Sequence, residues 1–171
     1  MQPLAPVLAL LALSGSAVAL TLGDFPSQFL IDTGFQIVVG VEAQTIDTLS
    51  AERLQAYLAR EEAKWNLTSA PRGLLDAEAF VGAGNYLVVG GPCVNRVAYV
   101  LLHKPPRCTD GFVEGQARIE LFATGDAHAL LLAGYSGVDT QRAVDFVVRY
   151  AMPNATRLLI NTRTLEILEM D

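Results

Sequence analysis

Two stretches of the sequence limit its fold more than any other feature: Val88-Val89-Gly90-Gly91-Pro92-Cys93-Val94-Asn95 and Ala133-Gly134-Tyr135-Ser136-Gly137-Val138-Asp139-Thr140. Each passes from an apolar run, through a turn of small residues, to a residue that opens a helix. Parallel strands hand over to crossover helices in this way, because a strand buried on both faces reads as a continuous apolar run. Two such units in one chain of 171 residues predict an α/β layered domain.

The remaining segments extend this pattern. Gln36-Ile37-Val38-Val39-Gly40-Val41 reads as a buried strand ended by glycine. A long helix follows, with Ile46, Leu49, Leu54, Tyr57, Leu58 and Trp65 near helical spacing. Glu52, Arg53, Arg60, Glu61 and Glu62 fall on its other side, and Asp47 or Ser50 is its expected N-cap. Ser69-Ala70-Pro71-Arg72-Gly73 reads as a linker. Asn85–Val89 is the next strand; Asn95 caps a helix through Leu102, which Pro105 and Pro106 stop. Gln116–Phe122 alternates polar and apolar, a wet-faced pattern that suits an edge position. A turn at Gly125-Asp126 pairs it with Ala127–Ala133 as a hairpin. Ser136 and Asp139 form an acidic capping box. Behind it Ala143, Val144, Val147, Val148 and Ala151 make an apolar face, and Pro153 ends that helix. Arg157–Ile160 and Leu165–Leu168 predict two short strands. The expected architecture is a mixed, mainly parallel sheet flanked by helices, with a β-hairpin and short C-terminal strands.

The N-terminus carries a different message. Met1–Gly23 holds no charged side chain, and Val7–Leu13 is apolar but too short to span a bilayer. Ala17-Val18-Ala19 follows, the small-x-small pattern of a signal-peptide cleavage site. Residues 1–19 are therefore expected to be a signal peptide cut before Leu20, and 20–171 a single domain. The usual positive n-region is missing, so an uncleaved anchor or a buried N-terminus is the alternative. Cys93 and Cys108 are the only cysteines, and in an exported chain two cysteines favour one disulfide. Asn66-Leu67-Thr68 and Asn154-Ala155-Thr156 are glycosylation sequons. The net charge is −6, and the scattered basic residues form no stripe, which argues against nucleic acid as a partner. After the signal no apolar run is long enough to span a membrane.

Candidate chemistry was weighed against structural roles. Gly134-Tyr135-Ser136-Gly137 has the context of a nucleophile elbow, but position 138 is Val, and His103 and His128 both precede the serine. Ser136 is better read as a helix cap. Gly90-Gly91-Pro92 could present backbone amides to an anion, yet no P-loop lysine follows and Pro92 lacks a donor. Gly82-Ala83-Gly84 precedes a strand, whereas a dinucleotide fingerprint follows one. Neither histidine has a partner at ligand spacing, and Asp110, Glu114 and Asp126 lack EF-hand spacing. The expectation is no catalytic residue, no cofactor and no metal. Gly90, Gly91, Pro92, Asn95, Gly134, Ser136 and Asp139 are expected to be turn and cap residues.

Leu22-Gly23-Asp24-Phe25-Pro26 after a signal peptide resembles the start of mature archaeal S-layer proteins of the methanogen and Thermococcus type. Ile37–Gly40 followed by Ala43 and Asp47 is similar to that family in order and spacing. Val88–Asn95, Glu114-Gly115, Ile119–Phe122 and Ala133–Thr140 with Arg142-Ala143 resemble its second conserved portion. The chain looks like these two portions joined through Ser69–Gly84, without the long middle region or the anchor. The resemblance implies a secreted, often glycosylated envelope protein that associates with itself or with other envelope proteins, located extracellularly, at the cell surface or in the S-layer. It implies no catalytic residues. The alternatives are a secreted ligand-binding module using the glycine turns at strand ends and, third, a degenerate serine hydrolase.

Overall fold

The computed structural model describes residues 20–31, 35–66 and 72–171. The signal segment 1–19, the Leu67-Thr68 part of the first sequon, Ser69-Ala70-Pro71 of the linker and the side chain of Trp65 lie outside the described residues.

Among the described residues seven strands form one mixed sheet: β1 (Gln36–Val39), β2 (Gly73–Leu75), β3 (Tyr86–Val89), β4 (Gln116–Thr124), β5 (Ala127–Gly134), β6 (Arg157–Asn161) and β7 (Ile167–Met170). Their order across the sheet is β2-β1-β3-β5-β4-β6-β7. The first four are parallel, with Val38 opposite Val88 and Val88 opposite Leu131. The pairs β5–β4, β4–β6 and β6–β7 are antiparallel. Among the described residues four α-helices accompany the sheet: α1 (Ser27–Ile31), α2 (Thr45–Trp65), α3 (Arg96–Leu101) and α4 (Gly137–Arg149).

Alternation along the strands divides the core in two. Ile37, Leu87, Val89, Leu130 and Leu132 face one layer with Leu54 and Leu58 of α2 and Val144 and Val147 of α4. Val38, Val88, Leu131 and Ala133 face the opposite layer with Val97, Ala98 and Leu101 of α3. β3 is buried along its whole length, which explains why Tyr86–Val89 shows no alternation in sequence. Leu22 of the Leu22-Gly23-Asp24-Phe25-Pro26 segment is fully buried in the first layer, and its N–H donates to the Ala155 carbonyl. Arg53 of α2 meets Asp145 of α4 at 2.6 Å, so an ion pair braces the two helices across their flank.

Several sequence expectations need correction. Gln116–Phe122 is not at an edge: β4 lies between β5 and β6. Its alternation arises because one face is buried while the other, carrying Arg118 and Glu120, is only partly covered. The N-cap of α2 is Gln44, not Asp47 or Ser50; Asp47 sits at the third helical position and accepts from the Gln44 N–H. Ser50 donates to the Ile46 carbonyl within the helix. Leu49 is exposed, whereas Glu62 is buried. Glu62 lies four residues after Leu58 and so falls on the inward stripe that Leu49 misses. The helix α4 stops at Arg149, ahead of Pro153, and Ala151 is exposed. The last strand begins at Ile167, because Leu165 turns the chain with a φ of 60°. Finally, Gly73 is not linker but the first residue of β2, a three-residue parallel edge strand.

Candidate functional site

The chain leaves β1 and β5 for helices on one face and leaves β3 for a helix on the other. Adjacent strands whose connections depart to opposite faces open a crevice at their C-terminal ends, the usual ligand site of such sheets. Here β3 lies between two strands of the opposite sense of departure, so the crevice straddles it. It encloses about 130 Å³ between Gln44 and Asp47 of α2, the Gly91–Val94 turn, and Gly134–Gly137.

Asn95 organises the floor. Its side-chain amide donates to the carbonyls of Val38 and Val89, and its Oδ1 accepts from the Val97 and Ala98 N–H groups. One side chain thus caps α3 and satisfies two strand-end carbonyls. Gly90 takes a φ of 108°, which only glycine adopts without strain. The amides of Gly90, Val94 and Asn95 donate to Leu132, Gly91 and Gly91 carbonyls respectively. Since Pro92 has no N–H, the amides of this turn without an acceptor among the described residues are those of Gly91 and Cys93.

Ser136 caps α4. Its Oγ accepts from the Asp139 N–H at 3.2 Å and donates to Asp139 Oδ2 at 2.8 Å. Thr162, beyond β6, donates to Asp139 Oδ1 at 2.6 Å. The Thr140 hydroxyl accepts from the Gly134 N–H. A side chain on Gly134 would place its Cβ 2.2 Å from that of Asp139, so the strand-to-helix corner closes only over glycine. On the far side, Asp76 after β2 accepts from Val41 N–H at 2.9 Å and Arg96 N–H at 2.7 Å. Cys93 and Cys108 are bonded, with Cα atoms 4.8 Å apart, and both border the crevice.

The hydroxyl of Ser136 is committed to its own cap, and no histidine borders the crevice. His128 lies opposite Ala123, at the far end of β5 from Gly134, and His103 follows α3. Among the described residues no group of three or more His, Cys, Asp or Glu side chains gathers in metal-binding fashion. Asp110 pairs with Arg107. Glu114 lines a shallow groove that also holds Arg142 and Arg163. No helix among the described residues is long and apolar enough to cross a membrane. Asn66 and Asn154 are both exposed, the first at the C-cap of α2, the second in the loop between α4 and β6.

One side chain stands apart. Asp47 is 2% exposed, and its Oδ1 has no hydrogen-bond partner among the described residues. Burial pushes its carboxyl above the usual carboxylate range, partly offset by the bond from the Gln44 N–H. Glu62, also buried with an unpartnered oxygen, is raised by burial as well, but it lies near the other end of α2. Sequence reading reached Asn95, Ser136 and Asp139 through their cap spacing. It missed Asp76 and Thr162, whose partners are distant in sequence. An aspartate directly after Gly73-Leu74-Leu75 was the available signal for Asp76.

By class, this is a layered α/β protein with a mixed seven-stranded sheet and a crevice at its strand ends. No protein-family model matches the chain, and no curated protein matches it.

Proposed function

We propose that this chain is a non-enzymatic exported structural protein of the archaeal cell surface, S-layer-like, acting through contacts with itself or with other envelope proteins. The observation that carries the reading is how the polar side chains around the strand ends are spent. Asn95, Asp76, Asp139, Thr140 and Thr162 all use their side chains to hold strand ends and helix starts together. A scaffold needs such corners closed, whereas catalysis needs a nucleophile with a free base and an orienting partner. The Cys93–Cys108 bond suits an oxidising compartment. The outermost strand β7 is exposed on both faces, with Ile167, Leu168 and Met170 uncovered, and its outer edge has no partner strand among the described residues. An open edge of this kind is a natural place for another chain to add.

The test is to express the full chain in an archaeal host, fractionate the cells and image the envelope by immunogold electron microscopy. The expected result is labelling at the envelope, and higher-order species of the purified protein that Leu168→Lys diminishes. A strictly monomeric protein confined to the cytoplasm overturns the reading. The ligand-binding alternative is favoured by one observation, the unpartnered Asp47 oxygen.

A further inference from the structure

Among the described residues Asp47 is the only charged side chain bordering the crevice; no lysine or arginine does. A buried carboxylate oxygen without a partner is rare and costs stability. The Ser136 and Thr140 hydroxyls nearby both have partners, whereas this buried oxygen has none. Gly137 keeps the space beside it free of a side chain: a Cβ there would stand 3.7 Å from Oδ1 and 2.4 Å from Ile46 Cγ2. Two half-covered rings, Phe112 and Tyr135, border the same space.

The balance of donors and acceptors decides which ligand fits. Three amides of the glycine turn are already engaged and Pro92 has none to give, which leaves those of Gly91 and Cys93. The third helical position of both α2 and α4 is an aspartate, so each positive helix end already faces an acid. The charged group bordering the crevice has an acceptor oxygen without a donor, and its negative charge opposes an anion. A divalent cation asks for six or more oxygens, and among the described residues Asp47 is the lone carboxylate here. An ammonium brings three donors and a charge that aromatic faces also attract.

We propose that the crevice binds a primary ammonium group, free or at the tip of a lysine side chain. Asp47 Oδ1 is its counter-ion, and Phe112 and Tyr135 flank it. The site does not depend on where the protein resides, so it stands or falls separately from the cell-surface reading.

The test is an NMR titration of the full chain, after any natural processing, with methylammonium and with Nα-acetyl-lysine methylamide. Inorganic phosphate is the opposing probe. The expected result is saturable shifts of the Gly91, Tyr135 and Gly137 amides with an amine. Saturation by methylammonium assigns a free amine; saturation by the lysine derivative alone assigns a side-chain ammonium. Asp47→Asn should weaken binding by about tenfold or more, the loss of one charge-assisted bond. Tyr135→Ala, at a half-exposed position, should weaken it a few-fold while leaving the fold intact. Shifts that never saturate, phosphate binding at the same amides, or unchanged affinity in Asp47→Asn overturn the proposal. Should Asp47→Asn not fold, unchanged affinity in Tyr135→Ala overturns it instead.

Discussion

The side-chain amide of Asn95 donates to the backbone carbonyl of Val38, 3.3 Å away and 57 residues earlier in the chain. The same amide reaches Val89 at 3.1 Å, so one residue ties the ends of two neighbouring parallel strands. Asn95→Ala removes both donors and, on the other side, the cap of α3. The expected loss is about 2–4 kcal/mol, combining an N-cap with unsatisfied buried carbonyls. Asn95→Asp retains the cap oxygen but turns a second oxygen toward two carbonyls, and should be at least as damaging. Urea unfolding midpoints of the two variants check this; a shift close to zero for Asn95→Ala contradicts the role given to the amide.

Two glycines offer a matched pair. A Cβ on Gly40 would sit 1.7 Å from the Val94 carbonyl oxygen, a backbone atom that cannot swing aside. The same addition at Gly73 meets nothing within 4 Å. Gly40→Ala should therefore abolish folding or cost several kcal/mol, on the order of ~3 or more. Gly73→Ala should leave stability within about 1 kcal/mol of the parent, and can raise it by reducing unfolded-chain entropy. Thermal unfolding of both variants decides the matter, and equal effects would be the contrary result.

The fold was legible where the signal was local. Val88–Asn95 and Ala133–Thr140 announced two strand-to-helix corners, because apolar runs, glycines and cap residues act within a few positions of one another. The hairpin was legible for the same reason. The position of β4 was not: a half-covered face alternates in sequence whether or not the strand is at an edge, and only its partners β5 and β6 distinguish the two. Short β2 escaped because three residues carry too little periodicity to register. At the crevice, Asn95, Ser136 and Asp139 were visible as caps. Their second bonds, to Val38, Val89 and Thr162, join positions that sequence spacing cannot relate. In sequence Asp47 is, with Ser50, one of two cap candidates, since nothing local shows that one of its oxygens is sealed away without a partner.

The Cys93–Cys108 bond closes a loop of 15 residues that carries α3 and borders the crevice. Restricting a loop of that size in the unfolded chain stabilises the fold by roughly 3 kcal/mol. The double variant Cys93→Ala with Cys108→Ala should lose about that amount in guanidinium unfolding. It should also ignore added reductant, whereas the parent should move toward the variant when reduced. A parent that is indifferent to reductant under unfolding conditions would show that the bond contributes nothing.

Asp47 gives a pH dependence whose sign follows from its burial. Its folded-state carboxyl is pushed above the unfolded value, so the folded chain holds the proton to higher pH than the unfolded chain does. The stability linked to this group is fully present below the unfolded pKa and is lost as pH rises through the folded one. The window therefore opens at the ordinary carboxylate value of about 4 and extends upward. Asp47→Asn keeps an acceptor for the Gln44 N–H and has nothing to titrate. The parent should lose stability relative to this variant as pH rises through that window, and urea midpoints of both proteins at stepped pH measure the difference. Glu62 is displaced in the same direction, so Glu62→Gln serves as a second comparison for its own share. A bound ammonium favours the ionised form of Asp47, so methylammonium should move the parent's window toward lower pH and leave Asp47→Asn unaffected. A parent–variant difference that stays constant with pH, with or without the amine, would mean that Asp47 keeps the same charge in both the folded and unfolded chain.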